Sequence, residues 1–304
     1  MTLTKDNLVA DLRNLGVKEG QLINVKASLK SMGFVEGGAG TLVEALLEAV
    51  GPEGTIVTDS FVDVHSYQHL VKNEEAPVDA KTPSYAGALA NAMINHPRSE
   101  RSDHPIQKFA LIGKLAKELA RNHTIDSHPY GVLLEMMNRG GINLKIGTDE
   151  KVVGVGTTHV VIVLLSYRQK RTVRGVRYKD EQGNVHLHER NWVGGCGRGF
   201  NNFISEYRDQ GGIISEALIG EAPSKLTDMK ITGEIEKTIL LREPEFFKCA
   251  DPGCVDCRIS WDHVSNQPIK FFFTNLVRRN WDAVLQQILL LARGKWYASL
   301  GLER

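Results

Sequence analysis

Two polar segments sit beside apolar runs and carry side chains that could move protons. The first is Arg101-Ser102-Asp103-His104-Pro105, and the second, further along the chain, is Thr157-Thr158-His159. Proline restricts the residue before it to extended backbone, so His104 projects from a defined turn. An imidazole titrates near neutral pH and can serve as a general acid or base, or only as a structural hydrogen-bond partner. Both roles remain open for His104.

A third polar segment follows the strand-like run Gln21-Leu22-Ile23-Asn24-Val25. It contains Lys26, Ser28, Leu29, Lys30, Ser31 and Gly33. A polar turn at a strand end presents backbone N–H groups that can bind phosphate. The segment has neither a P-loop nor a Rossmann glycine pattern, so an ordinary strand-to-helix turn is the alternative.

Three cysteines, Cys249, Cys254 and Cys257, lie close together late in the chain, and His263 follows them. Three thiolates and an imidazole suit a closed tetrahedral zinc site that fixes a loop without a core of its own. An iron–sulfur ligand set would need a fourth cysteine, for which Cys196 is the candidate. A metal-free loop is the remaining alternative. We expect any zinc here to be structural, because nothing nearby indicates an open coordination position.

The composition is that of a soluble globular protein: of 304 residues, 42% are hydrophobic and 24% charged. A formal net charge of +1 provides no overall attraction to nucleic acid. The sequence contains no apolar run long enough to span a bilayer, no signal-peptide profile at its start and no secreted disulfide pattern. We therefore expect a cytoplasmic protein that binds neither nucleic acid nor membrane. A homodimer is compatible with the sequence.

A compact basic run, Arg168-Gln169-Lys170-Arg171-Thr172-Val173-Arg174, follows the apolar residues after His159. A run of like charges is most often a solvated loop. The alternative is a rim that attracts an anionic ligand to a nearby site.

Four segments, taken in their order along the chain, resemble the aminoglycoside 3-N-acetyltransferase family. The resemblance is carried by Ser28-Leu29-x3-Gly33, Gly51-x-x-Gly54-Thr55, Arg101-Ser102-x-His104-Pro105 and the His159 segment, within residues 21–247. It implies an α/β fold and the transfer of an acetyl group from acetyl-coenzyme A to a small-molecule amine.

The resemblance also implies which residues hold coenzyme A. They are Lys26, Ser28, Leu29, Lys30, Ser31, Arg101 and Ser102. Lys26 stands where the family has a histidine, which matters little if the segment works through backbone amides. The strand after Thr55 would end at the acceptor cleft, where we expect Asp59, Phe61 and Asp63.

His159 corresponds to the family's general base, which the family pairs with a glutamate three residues later. In this chain that position is Ile162. Disabling the comparable carboxylate of a serine-protease triad costs about 10⁴ in rate, so a substitute is needed. The candidate acids are Asp59, Asp63 and Asp103, and His104 could instead take over part of the proton transfer. The alternative is a catalytically degenerate relative that binds coenzyme A or a sugar.

The elements that must position these side chains alternate between helix and strand. We predict helices over Lys5–Leu15, 41–50, 86–95, 114–122, 131–138, 201–209 and 231–241, and strands over 21–25, 55–57, 108–112, 142–146 and 213–219. Val160 to Leu165 reads as a further strand-like run, and residues 176–187 as an antiparallel hairpin. The fold class is α/β, with a mixed, largely parallel sheet flanked by helices. We assign residues 1–248 to this domain and residues 249–304 to a cysteine-rich elaboration packed on it.

The basic run predicts an acceptor with negative charge, such as an amino sugar linked to phosphate, because it would repel a polycationic aminoglycoside. Replacing Arg171 and Arg174 with alanine should raise the acceptor KM, and added salt should mimic that change by screening. Steady-state kinetics with coenzyme A affinity as the control will check this. An unchanged acceptor KM with weakened coenzyme binding would contradict it.

Overall fold

The computed structural model describes residues 2–66, 76–152, 154–167, 174–180, 182–189, 195–258, 261, 268–285 and 287–288. The strands β1 to β12 are, in order, Thr2–Leu3, Leu22–Ala27, Phe34–Val35, Thr55–Asp59, His65–Ser66, Glu100–Arg101, Phe109–Gly113, Ile142–Ile146, Arg174–Lys179, Val185–Glu189, Ile213–Ile219 and Ala222–Asp228. The helices α1 to α11 are Lys5–Leu15, Gly38–Val50, Ala88–Asn95, Ala116–Arg121, Gly131–Asn138, Thr157–Leu164, Gly197–Phe200, Phe203–Asp209, Met229–Arg242, Val255–Arg258 and Pro268–Val277.

The first helix begins and ends as the sequence predicts. Thr4 accepts a hydrogen bond from the backbone of Asn7, whose side chain in turn accepts one from the Thr4 backbone, which forms a capping box. Leu8, Leu12 and the other apolar residues at helical spacing are buried, and the helix ends at Gly16 in the left-handed conformation.

A seven-stranded mixed sheet in the order β11-β12-β8-β2-β4-β7-β6 forms the centre of the molecule. The three middle strands, β8, β2 and β4, run parallel, and the outer pairs are antiparallel. The predicted α/β class with a mixed sheet is confirmed, and parallel pairing is confined to the middle. The carboxyl ends of β8, β2 and β4 therefore meet at one edge. We call this the strand-end edge.

Helices cover both faces of the sheet. On one face α1, α2 and α3 bury the side of β2 that carries Ile23 and Val25. On the other face α4, α5, α6 and the start of α9 pack on Leu22, Val57 and Phe109. Side chains alternate along a strand, so Asn24 and Lys26 share the second face with Leu22. The second face is therefore the one that can carry polar chemistry.

The predicted hairpin over 176–187 is confirmed, with β9 and β10 in antiparallel register and β5 added beside β9. Val176 packs against Val62 and Ile106, which lie in the loops at the strand-end edge. The hairpin therefore lies against this edge.

The strand-like reading of Val160–Leu165 is wrong, because Thr157–Leu164 is the helix α6. Val160, Val161 and Ile162 point in three directions around the helix axis, and all three are buried. A helix buried all round shows no 3.6-residue periodicity, and its β-branched residues mimic a strand. The sequence also gave no expectation of β12, which joins β11 to β8. Among the described residues, none of the helices is long and apolar enough to cross a bilayer.

The helix α9 has a side-chain cap whose loss should be measurable. The Asp228 carboxylate accepts hydrogen bonds from the backbone N–H groups of Lys230 (2.8 Å) and Ile231 (2.9 Å). Replacing Asp228 with alanine should lower the free energy of unfolding by about 1 kcal/mol, measured by urea denaturation. Replacing the exposed Asp209 should change it by less than about 0.5 kcal/mol. Equal effects of the two variants would contradict the capping role.

Candidate functional site

The strand-end edge brings together residues that lie far apart in sequence. Lys26 at the end of β2 and Asp59 at the end of β4 form an ion pair, with Lys26 Nζ 3.1 Å from Asp59 Oδ2. Both side chains lie mostly out of solvent. The lysine at the end of β2 is thus held by a carboxylate that the sequence predicts at this edge.

The segment from Lys26 to Ser31, which is predicted to bind coenzyme A, forms a tight turn at this edge. Leu29–Ser31 is one turn of 3-10 helix, and the Ser31 hydroxyl donates to the Ser28 hydroxyl at 2.9 Å. The backbone N–H of Ser28 donates to Ile146 (2.9 Å), and that of Ser31 donates to Ser28 (3.0 Å). These two amides are therefore engaged within the fold. A phosphate here would meet the serine hydroxyls and the ammonium groups of Lys26 and Lys30.

Arg101 and Ser102 make their hydrogen bonds inside the protein. The Arg101 guanidinium donates to the Ser60 hydroxyl (3.2 Å), to the Ser60 carbonyl (2.6 Å) and to the carbonyls of Ala80 and Thr82. Ser102 is buried, and its hydroxyl accepts from the Phe109 backbone at 2.9 Å. Both side chains thus fix the loops beside Asp59.

His104 belongs to a cluster of three histidines. Its ring stacks on His123 with centroids 5.2 Å apart and meets the edge of His188 at 5.4 Å. Its Nδ1 accepts from the backbone N–H groups of Ile106 (3.2 Å) and Gln107 (3.0 Å). Burial, followed by the neighbouring His123, His188 and Lys108, lowers the pKa of His104 to about 2. His104 is therefore neutral and fixed at physiological pH.

His123, the second member of this cluster, is buried, whereas the sequence around it would suit a surface histidine. Its Nδ1 lies 3.0 Å from the Ser102 hydroxyl, and burial lowers its pKa to about 4. His96 is half-buried and bound to Glu44 at 3.0 Å, away from the edge. Local sequence gave no signal for His123, because its burial is created by the packing of the His104 loop.

His159 lies in the first turn of α6, between aromatic rings. Its imidazole stacks on Tyr130 with centroids 4.6 Å apart and planes 7° apart, and it meets Phe200 edge-on at 4.9 Å. Phe61 extends this wall, since its ring meets that of Tyr130 edge-on at 6.2 Å. The side chain is half-buried.

Two asparagines fix the start of α6 on the sheet. Asn24 of β2 donates to Asn143 of β8 at 2.9 Å, and both are buried. A Cβ at Gly156 would stand 2.9 Å from the Asn24 amide nitrogen, so only glycine lets the chain approach this closely. Asn24 and Lys26 share a face of β2, so the His159 helix starts on the face that carries Lys26.

The acid that reaches this helix is Glu236, which sequence reasoning missed. Ile162 lies in an apolar cluster, and Asp63 and Asp103 are exposed. Glu236 comes from α9, and its Oε1 accepts from the hydroxyls of Thr157 (3.3 Å), Thr158 (2.5 Å) and Tyr207. Burial raises its pKa to about 8. A glutamate among the buried apolar positions Ile235, Ile239 and Leu240 of one helix was the available signal.

Asp63 and Arg174, which are predicted to bind the acceptor, lie in different parts of the structure. Asp63 is exposed in the loop after β4. Arg174 begins β9 with an exposed side chain, on the hairpin that lies against the strand-end edge. Arg171 is outside the described residues. The structure thus brings Lys26, Ser28 and Asp59 to one edge, with Phe61 in the aromatic wall beside His159.

The predicted metal ligands Cys249, Cys254 and Cys257 lie together, and Cys196 joins them. One ligand atom from each residue lies within 4.8 Å of all the others. His263, the fourth ligand predicted from sequence, is outside the described residues. The spacing of the late cysteines pointed to a site, but only the fold brings Cys196 to it.

A model of the family described as aminoglycoside 3-N-acetyltransferase matches residues 25–239. Aminoglycoside N(3)-acetyltransferase III of Salmonella sp is 34% identical over 134 residues, which are 40% of this chain and 47% of the relative. The chain thus spans about half the length of such curated relatives.

Solved structures of similar fold include AAC-IIIb in a binary complex with CoASH (TM-score 0.66, 23% identity, covering 80% of this chain and 97% of that one). AAC-VIa bound to sisomicin gives a TM-score of 0.68 at 23% identity, covering 79% of this chain and 98% of that one. At this identity the likeness establishes the fold.

The raised pKa of Glu236 should make stability depend on pH. The folded pKa, about 8, lies above the unfolded value of 4.5, so the folded state holds the proton more tightly. This contribution to stability is fully present below pH 4.5 and is lost as the pH rises towards 8. Relative to Glu236→Gln, the wild-type free energy of unfolding should fall by up to about 1.4 kcal/mol per pH unit in that window.

Urea denaturation between these pH values measures the difference. Glu234→Gln, an exposed glutamate on the same helix, is the matched control and should leave the pH dependence unchanged. Parallel curves for the wild type and Glu236→Gln would contradict a buried, proton-holding carboxyl group.

Proposed function

Because the chain belongs to the aminoglycoside 3-N-acetyltransferase family, we propose that it transfers the acetyl group of acetyl-coenzyme A to a primary amine of an amino sugar. The amine nitrogen attacks the thioester carbonyl carbon and the carbon–sulfur bond breaks. His159 takes the proton that the nitrogen loses, and the coenzyme thiolate leaves and is then protonated. The products are the amide and free coenzyme A.

The observation that carries this proposal is the setting of His159. Its ring is held parallel to Tyr130 and against Phe200 at the start of α6, on the sheet face that carries Lys26 and Asp59. A general base must be held in one orientation beside a cleft that can admit two substrates. The His159 imidazole is held in one orientation by the two rings and is only half-buried, which supports this role.

Glu236 is proposed as a positioning residue for this base. Its carboxyl group binds the hydroxyls of Thr157 and Thr158, the two residues immediately before His159. It thereby fixes the first helical turn, in place of the glutamate that the family carries where this chain has Ile162. His104 and Asp59 support the wall and the edge of the cleft in this account.

The coenzyme is proposed to lie along the turn from Lys26 to Ser31. Lys26 and Lys30 supply positive charge for its phosphates, and Ser28 and Ser31 supply hydroxyl groups. Leu29 is half-buried and offers apolar surface to the pantetheine arm. Arg101 and Ser102 contribute by fixing the loop that borders this path.

The acceptor is proposed to enter beside Phe61 and Asp63, under the hairpin that begins at Arg174. Asp63 can attract an amine, and the exposed Arg174 favours a phosphate group on the same molecule. An aminoglycoside is the alternative acceptor.

The cysteine cluster is proposed to be a structural zinc site that takes no part in acetyl transfer.

A second candidate, a degenerate relative that only binds coenzyme A or a sugar, is favoured by one observation. Ile162 is fully buried in an apolar cluster, so the family's carboxylate cannot be restored there without burying a charge. This candidate predicts coenzyme binding without turnover.

Release of free thiol from acetyl-coenzyme A, with a panel of aminoglycosides and phosphate-bearing amino sugars, separates the two candidates. An amine-dependent release is expected, and His159→Gln should lower kcat by about 10² to 10⁴ with little change in the coenzyme KM. His96→Gln, on the opposite face of the sheet, should retain full activity. Coenzyme binding without release by any amine would favour the degenerate relative.

A further inference from the structure

Four buried cysteines from two parts of the chain surround one point. Cys196 directly precedes α7, and Cys249 follows α9. Cys254 directly precedes α10, and Cys257 lies within it. We propose that all four bind a single zinc ion, with Cys196 as the fourth ligand. The ion would join the segment 249–258 to the part of the chain that carries the acyl-transfer site.

The separations between the sulfur atoms fit one ion. Each ligand atom lies within 4.8 Å of the other three. A tetrahedron with Zn–S bonds of about 2.3 Å has sulfur–sulfur edges of about 3.8 Å, so closure needs shifts of an ångström or less. An iron–sulfur cluster places several iron and sulfide atoms between its thiolates and holds them further apart. The compact arrangement therefore favours a mononuclear metal.

The surroundings of the sulfurs fit a structural metal better than an apolar contact. All four residues are buried and none forms a disulfide. Within the described part of the chain, the four side chains make up a cluster of their own, without an aliphatic or aromatic member. Four thiol groups provide little apolar surface for the loop to fold around, whereas a bound cation would supply the missing folding energy.

The loop also provides hydrogen bonds of the kind that support thiolate ligands. The backbone N–H of Cys249 points at Cys257 Sγ at 3.3 Å. The Arg258 guanidinium donates to the carbonyls of Cys249 (2.5 Å) and Asp251 (3.2 Å), and the Asp251 carboxylate accepts from the Gly253 backbone at 2.8 Å. These bonds fix the turn between Cys249 and Cys257, so the ligands are held in place. Four protein ligands leave no open position, so the zinc would be structural.

The site is connected to His159 through α7. A Cβ at Gly199 would overlap the Phe247 carbonyl oxygen, so α7 packs with its backbone directly on the chain that leads to Cys249. Phe200, the last residue of α7, meets His159 at 4.9 Å and Phe247 at 6.3 Å. Zinc would thus hold Phe200, one of the two rings that contact His159. This effect on activity rests on the proposed function, whereas the metal site itself does not.

Metal analysis of the purified full chain tests the ligand set. We expect one zinc ion per chain in the wild type, its loss in Cys196→Ser and in Cys257→Ser, and its retention in His263→Ala. Zinc lost from His263→Ala but kept by Cys196→Ser would overturn the assignment of Cys196. Stoichiometric iron, or four free thiols without metal, would overturn the assignment of zinc to this site.

The unaltered chain provides a second measurement, should the cysteine variants fail to fold. Native mass spectrometry of the wild type should show the mass of one zinc ion, and a mercurial reagent should release it only as the four thiols react. Cobalt-substituted protein should show the visible absorption of a tetrahedral thiolate site. A chain that is fully folded with no bound metal in both measurements would overturn the proposal.

Activity distinguishes this inference from the proposed reaction. Release of zinc should lower kcat and disturb Phe200, whereas His159→Gln should lower kcat and leave the zinc content at one per chain. If the chain binds zinc but transfers no acetyl group, the metal site is supported and only the proposed reaction is contradicted. Full activity of a zinc-free chain would refute the connection through Phe200.

Discussion

The position of His159 at the start of α6 depends on the carboxyl group of Glu236. It is completely buried and gathers hydroxyl groups from α6 and α8 onto α9. Its second oxygen, Oε2, has no hydrogen-bond partner among the described residues. A buried ionised carboxylate with so few partners is costly, and the raised pKa reflects this cost. The protein keeps the group because three helices meet on it, and one of them begins with His159.

The strand-end edge adds an electrostatic constraint. Lys108, Lys145 and Lys225 are buried close to it, beside the partly exposed Lys26. Lys145 and Lys225 share the carboxylate of Asp149, and burial lowers the pKa of Lys108 to about 8. Glu216 lies 3.6 Å from Lys225, and the charges of Asp103 and Asp79 act on Lys108, so each buried ammonium group of this edge has a carboxylate near it.

Much of the framework could be predicted from sequence, because local signals agree with the fold there. The capping box of α1 and the turn of the β9–β10 hairpin depend on neighbouring residues. The helix α6 could not be predicted, because a run of consecutive buried residues, Val160 to Ile162, hides the periodicity that marks a helix. Glu236 was missed, and Cys196 was named only as a candidate for an iron–sulfur ligand set, for a different reason. Each meets its partners only through contacts between distant parts of the chain.

The most direct test of the account is a crystal structure of the chain with coenzyme A bound. We predict the phosphates against Lys26 and Lys30, the pantetheine arm along Ser28–Ser31, and the thiol in the cleft lined by His159 and Tyr130. A coenzyme whose thiol lies away from His159, or whose phosphates contact the opposite end of β2, would contradict the central claim.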